Sequence, residues 1–341
     1  MRKAYAWLLG GLLIGSSLFI SYSCKKSTSD DEDITGNWKK TDVFGGDPRS
    51  EAISFTIGNL AYAGTGATST ERFKDLWEYD LDRRSWKQKA DMPNDASARN
   101  SAVAFSIDGK GYIGTGYDGV NRLSDFWSFD PVGNVWERKA DFPGGGRYDA
   151  VGFAASGKGY IACGYDTKAL NNMWQYDPSS NTWNPKASVL GDKRYAAMAF
   201  VINNTPYVLS GINNGEVQKD MYSYDAASDK WTEKTKIYNY SDESYDDDYG
   251  TISRQNGVTF VMGNYAYITT GENSTITSAT WRYDPSTDRW LEKTGFEGTA
   301  RSGAIAFSLN NRGFVFTGRS GSLVFDNGYE LLPEEDKVDG D

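Results

Sequence analysis

From Ile34 onward the chain is written in short apolar runs of four or five residues, separated by glycine, asparagine and aspartate. Ala102-Val103-Ala104-Phe105-Ser106, Gly111-Tyr112-Ile113-Gly114, Phe126-Trp127-Ser128-Phe129 and Val135-Trp136-Glu137-Arg138 are four such runs in succession. Their length, their aromatic and β-branched content and the turn residues between them predict a four-stranded antiparallel meander. The first 23 residues are written differently. Basic Arg2 and Lys3 precede an apolar stretch from Ala4 to Ile20, broken by Gly10, Gly11 and Gly15, which predicts an export leader and not a membrane span.

The meander recurs with fixed spacing. An arginine stands six residues before a phenylalanine at Arg49/Phe55, Arg99/Phe105, Arg147/Phe153, Arg194/Phe200, Arg254/Phe260 and Arg301/Phe307, and a glycine follows each phenylalanine by eleven. An aromatic-Asp pair comes next, from Tyr79-Asp80 in the first unit to Phe325-Asp326 in the last; in five units a tryptophan follows the aspartate by six residues. The sixth unit has none, while Trp38 precedes Arg49 by the eleven residues that separate Trp136 from Arg147. A period of this length marks a repeat architecture, and meanders arranged in a ring hide their sheet edges. The expected fold is all-β: a six-bladed propeller over 34–333, its last blade completed by the N-terminal strand around Trp38. Tyr329-Glu330-Leu331-Leu332 competes for that outer position. Residues 24–33 are expected to form a disordered acidic tether, and 334–341 an acidic tail.

These motifs resemble the Kelch repeat family: a first strand after an arginine, a second ending in a glycine pair, then aromatic-Asp and a spaced tryptophan. The pair is relaxed here to Thr65-Gly66, Thr115-Gly116, Cys163-Gly164, Ser210-Gly211, Thr270-Gly271 and Thr317-Gly318. The leader's end, Ile20-Ser21-Tyr22-Ser23-Cys24, resembles the lipobox of bacterial lipoproteins, which implies lipidation of Cys24. The following Ser-Asp-Asp-Glu-Asp resembles the acidic signal that sends some Gram-negative lipoproteins to the outer face of the outer membrane, with ordinary linker composition as the alternative. The expected location is therefore the cell envelope, with the membrane reached through the N-terminal lipid only.

Composition narrows the chemistry. Glycine at 37 residues and aromatics at 14%, against 9 prolines, describe a chain with a core. Its net charge of −10 opposes a phosphate backbone, so nucleic acid is not an expected partner. The absence of histidine excludes His-dependent triads and His-ligated metals, including the metal site of copper oxidases that share the Kelch propeller. Cys24 and Cys163 make no disulfide framework or thiolate metal site; Cys163, in the place of a glycine, reads as a small buried residue. No cofactor and no metal are expected, and the domain is expected to be monomeric.

The intervals also choose a face. Phe to Gly and Asp to Trp never change, whereas Gly to Asp shortens to eight in the last unit and Trp to Arg stretches to twenty-three before Arg254. In an antiparallel meander both variable connections lie on the same side, where binding residues gather on a rigid scaffold. Arg49, Arg99, Arg147, Arg194, Arg254 and Arg301 enter from that side and are expected around the channel mouth. Two readings stay open: guanidinium forks free for an anion, or internal pairing with Asp75, Asp125 and Asp220 or with the loop acids Asp118, Asp166 and Glu272. The last unit's short Arg319-Ser320-Gly321-Ser322 loop is expected to leave a low rim. The 235–253 insertion, with four tyrosines among acids, reads as a mobile loop or as a surface for a sugar or a hard cation.

The expected function is a non-catalytic binding module for an anionic glycan, an acidic small molecule or a protein segment. The alternative implied by the resemblance is an enzyme like the bacterial Kelch mutarotases of sialic acid, with Glu272 beside Arg254 and Arg301 as the candidate site.

Overall fold

Six four-stranded antiparallel sheets follow one another along the chain, each built as a simple meander. The computed structural model describes Met1, residues 34–338 and Gly340; the leader, Cys24 and the tether lie outside the described residues. The first blade runs Ile53–Ile57, Leu60–Gly64, Leu76–Asp80 and Ser85–Gln88. The sixth is built from both ends of the domain: Ile305–Leu309, Arg312–Phe316 and Asn327–Leu332, with Asn37–Val43 as its outer strand. The N-terminal segment therefore closes the propeller, with Trp38 opposite Leu331.

Innermost strands alternate strictly. Ile53 and Phe55 are buried, while Ala52 and Ser54 line the channel, and the other first strands repeat the pattern with alanine, glycine or threonine on the channel side. The second strand is buried on both faces and the fourth is largely exposed. Burial thus runs from axis to rim, as period-two alternation with one narrow inner face requires.

The core is divided into six clusters, one at each blade junction. Ile53, Phe55 and Tyr62 of the first blade pack against Ile113, Trp127 and Phe129 of the second; the series ends with Ile305, Phe307 and Phe316 of the sixth against Ala61, Ala63 and Tyr79 of the first. Phe55 stacks on Tyr62 across the strand pair at 5.1 Å between ring centroids. Its outer edge fills the space over Gly111, where an added Cβ would lie 2.2 Å from the ring.

Strand-four tryptophans pin neighbouring blades together. Trp136 Nε1 donates to the carbonyl of Ala90 at 2.8 Å, while the N–H of Ala90 donates to Asn134 at 3.0 Å. Both polar groups of one linker residue are thereby held by the next blade. Trp183 with Asn181 holds Ala140 in the same way, and Trp231 with Asp229 holds Ala187. Trp38 takes this role in the sixth blade, donating to Thr294 O at 3.1 Å, and is 0% exposed.

Three sequence expectations are corrected here. Asn327–Leu332 is the third strand of the sixth blade and not its outer strand, so Leu331 occupies the place that Tyr79 holds in the first. Phe325-Asp326 precedes that strand, so the spacing of eight is not a short connection and the low rim does not exist; Leu323–Val324 instead pairs with Arg319–Ser320 in a small hairpin. The 235–253 insertion is a folded cap and not a loose loop. Tyr249 is buried against Trp281, its hydroxyl donates to Trp290 O and accepts from Trp290 N–H, and buried Asp246 accepts the N–H groups of Tyr240 and Ser241. Glu334 of the tail pairs with Arg282, and Val338 N–H donates to Asn37.

The closure predicts an asymmetry among the tryptophans. Trp38→Ala should cost about 3–5 kcal/mol, read as a large fall in melting temperature. Trp86→Ala, at a half-exposed position whose indole N–H has no partner among the described residues, should cost markedly less.

Candidate functional site

All six repeat arginines are 0% exposed. In every blade Nη1 donates to the carbonyl sixteen residues further on, that of Thr65, Thr115, Cys163, Ser210, Thr270 or Thr317, at 2.7–3.2 Å. That carbonyl belongs to a residue held in the left-handed region at φ 55–61°. The glycine after it donates its N–H to the backbone carbonyl of the next blade's arginine, and Gly318 returns the series to Arg49. Each arginine is tied by its side chain to its own blade and by its backbone to the preceding one.

Counter-charges accompany three of the six. Asp75 takes the Arg49 fork at 2.5 and 2.8 Å, Asp125 takes Arg99 at 2.6 and 2.6 Å, and Asp220 takes Arg194 at 2.5 and 3.0 Å. Burial alone would raise the Asp125 carboxyl, but the Arg99 fork holds it below the usual carboxylate range. The other three meet neutral acceptors: Asn172 for Arg147, the carbonyls of Ala279, Ile252 and Thr251 for Arg254, and Asn327 for Arg301. Burial lowers these guanidiniums, to about 10 for Arg147 and Arg301 and about 9 for Arg254.

The mouth itself is drawn by the residues two past each arginine: Glu51, Ser101, Asp149, Ala196, Asn256 and Gly303, all left-handed at φ 51–61°. The N–H of each donates to the carbonyl of its counterpart in the preceding blade at 2.7–3.1 Å, and the six bonds form a closed circle. The circle borders a cavity of about 170 Å³, which continues into the alanine-lined channel, about 340 Å³. Two carboxylates therefore stand at the channel mouth. Glu51 accepts from Asn100 Nδ2 and Ser101 Oγ and pairs with Arg319 at 3.4 Å. Asp149 is sunk in the wall; burial, and secondly the charge of Glu51, push its carboxyl up to about 7 against the opposing pull of Ser101 and Arg319.

Above this circle lies an outer tier, in which the residue after each arginine bridges the residue after each glycine. Three neighbouring blades place tyrosines there. Tyr117, Tyr148, Tyr165 and Tyr195 form a continuous arc with centroid spacings of 5.6, 5.5 and 5.0 Å. Arg72 lies over Tyr117 at 5.2 Å, and Arg122 lies about 6 Å from both Tyr148 and Tyr165. Burial, and then the charge of Asp149 beneath them, raise the phenols of Tyr148 and Tyr195.

The arginine-to-carbonyl node, repeated without exception, is the structural content of the motif that the sequence carries. A family model described as the KLHDC2/KLHL20/DRC7 Kelch-repeats domain matches residues 28–193 and 142–318. The chain belongs to the Kelch-repeat family. In fold it is similar to a solved structure described as "Structure of YjhT", with a TM-score of 0.69 and 13% identity over 84% of this chain and 95% of that one. No curated protein matches it in sequence.

Against this Kelch scaffold, the residues singled out by sequence fall in three places. The six repeat arginines lie inside the blade wall and not around the mouth, because each is buried and bonded to its own blade. Asp118 and Asp166 cap their own turns, accepting from Val120 and Asn121 and from Thr167 and Lys168; burial would raise both carboxyls, but these donors hold them low. Glu272 and Arg319 do reach the mouth, both half-buried, with Asn256 Nδ2 donating to Glu272 at 3.4 Å. Arg254 and Arg301 stay buried. Buried Cys163, its thiol pushed up to about 11 by burial, fills its glycine position without a reactive role. No group of three or more His, Cys, Asp or Glu residues among the described residues could hold a metal ion.

The mouth residues Glu51, Asp149, Arg72, Arg122 and the tyrosine arc were not singled out by sequence. For Glu51, Asp149, Tyr148 and Tyr195 the signal lies in what varies one and two places after an invariant arginine; Tyr117 and Tyr165 follow the invariant glycines.

The node predicts a stability loss. Arg99→Ala leaves the half-buried Asp125 with the Trp127 indole but without its counter-charge and should cost about 3–5 kcal/mol, seen as a lower melting temperature. Replacing both residues, Arg99→Met with Asp125→Ala, should recover part of that loss.

Proposed function

We propose that this protein is an envelope-anchored Kelch propeller that works as a non-catalytic binding module, holding a carboxylate-bearing sugar or polypeptide segment across its channel mouth. One observation carries the reading: the exposed Arg122 fork, which makes no ion pair among the described residues and lies over Tyr148 and Tyr165. An arginine held by aromatic faces is pre-oriented yet keeps its in-plane N–H donors, as bidentate recognition of a carboxylate requires. The tyrosine arc beside it offers rings on which a pyranose or a peptide plane can lie, and Arg72 extends the same positive edge. Anchoring rests on the leader and Cys24, and the acidic tether would space the domain from a lipid surface.

A second reading, proton transfer on an acidic sugar, is favoured by the Asp149 carboxyl, because a group that titrates near neutrality beside a cavity suits acid–base exchange.

Titration calorimetry of the full chain with sialic and glucuronic acids, beside their neutral counterparts, tests the main reading. Binding of the acids alone is expected, with at least a tenfold loss in Arg122→Ala at unchanged melting temperature. Equal binding of neutral and acidic sugars, or an Arg122→Ala protein that binds as well, would overturn it. An anomer-exchange assay on any acid that binds separates binder from enzyme.

Membrane fractionation tests the anchor. The native chain should pellet with the envelope and Cys24→Ser should release it; an envelope-bound variant would refute lipidation at Cys24.

A further inference from the structure

We propose that the rim takes a chain and not a single sugar: an acidic glycan with carboxylates on successive residues, lying along the tyrosine arc with one carboxylate on Arg72 and another on Arg122. This rests on the rim reading and names its class of ligand.

The two arginines hold the same place in successive blades. In each blade the residue after the invariant glycine bridges a later residue of the same loop, and in the first three blades the pairs are Ala67 with Arg72, Tyr117 with Arg122 and Tyr165 with Ala169. In blades four to six the later residues are Val217, Ile276 and Val324. Four blades close this loop without an arginine, so the scaffold does not require one there. Arg72 and Arg122 are a difference confined to two neighbouring blades.

Each guanidinium reaches onto the tyrosines of the next blade. Arg72 lies 5.2 Å from the Tyr117 ring centroid, and Arg122 lies 6.0 and 5.9 Å from those of Tyr148 and Tyr165. Asn100 aims Arg72, its Oδ1 accepting from Nε at 2.7 Å. Gly119, at φ 102°, leaves room for the head group, since an added Cβ there would lie 2.7 Å from Nη1. No acceptor among the described residues takes the Nη fork of Arg72. Asp118 and Asp166, the acids of the neighbouring loops, bond the N–H groups of their own turns. Two forks therefore stand one blade apart, joined by the contact of Tyr117 with Tyr148 at 5.6 Å.

A single uronic or sialic acid carries one carboxylate and fills one fork. Filling both takes a second carboxylate displaced along the arc, which a further residue of the same chain supplies, and linkage makes that second contact intramolecular. The sugar rings between the carboxylates would lie on tyrosine faces.

An acidic peptide fits less well. Extended peptides are commonly held through their backbone by an unpaired sheet edge, and this tier offers none. The N–H and carbonyl groups of Asn100 and Tyr117, of Tyr148 and Tyr165, and of Tyr195 and Ile212 bond each other in pairs. Ring faces and guanidinium forks are what remain for a ligand, and they match a pyranose bearing a carboxylate.

The test is titration calorimetry of the full chain, at physiological salt, with galacturonic acid, its linear tetramer, the methyl-esterified tetramer and a tetraglutamate peptide. The tetramer should bind about tenfold more tightly than the monomer, and esterification should remove that gain. Arg72→Gln should bring the tetramer close to the monomer. Its amide nitrogen stands where Nε stood and can keep the Asn100 bond, so the fork alone is lost and the melting temperature should hold. Equal affinity for monomer and tetramer, or a gain that survives esterification or Arg72→Gln, would overturn the chain while leaving the rim reading in place. Failure of every acid to bind would overturn both. Tetraglutamate binding as tightly as the tetramer would overturn the choice of a glycan.

Discussion

A guanidinium that is never exposed is the member on which this propeller depends. Arginine supplies five donors in one plane, and each blade spends them on the carbonyl of a left-handed residue, on the turn before its first strand, and on an acid, an amide or, in the fifth blade, the Ala279 carbonyl at the start of its third. The left-handed residue is needed because only a reversed backbone turns that carbonyl inward. The glycine that follows is then the one that reaches the neighbouring blade. Fixed spacing from arginine to glycine is thus a geometric requirement, and any insertion there would separate fork from carbonyl.

Much of the fold was legible for that reason. Residues that must meet at set distances repeat at set intervals, so blade number, strand count and the use of Trp38 to close the ring could all be read from spacing. Legibility failed where chemistry was imitated. Phe325-Asp326 has the form of the repeated pair, but the sixth blade's third strand carries Leu331 opposite Trp38, and an aliphatic side chain fills the same space against an indole. The asparagines and aspartates two residues before strand-four tryptophans, which clamp each linker, were visible in the sequence but lacked meaning until the carbonyl they serve was located.

The mouth was hidden for the opposite reason. Repetition identifies what every blade needs, whereas a site arises from what one blade does differently. Six arginines in register drew notice as a ring of charge, yet a blade is stable only if its arginine is enclosed. The positions one and two residues later have their backbone bonds fixed by the circle and the bridges, leaving their side chains free to differ. Tyrosines in blades three and four and acids in blades one and three are therefore variation that the scaffold tolerates without loss of stability.

The sixth blade has a consequence for the order in which the domain can be made. Asn37–Val43 emerges first and its partner Asn327–Leu332 last, so the founding strand must wait unpaired through almost the whole of synthesis. Until then Tyr79 and Ala61 of the first blade have no Phe307 or Phe316 to cover them. A chain cut short anywhere before Asn327 is thus an open crescent with two raw edges, and completion is sensed by the molecule itself as the disappearance of both at once.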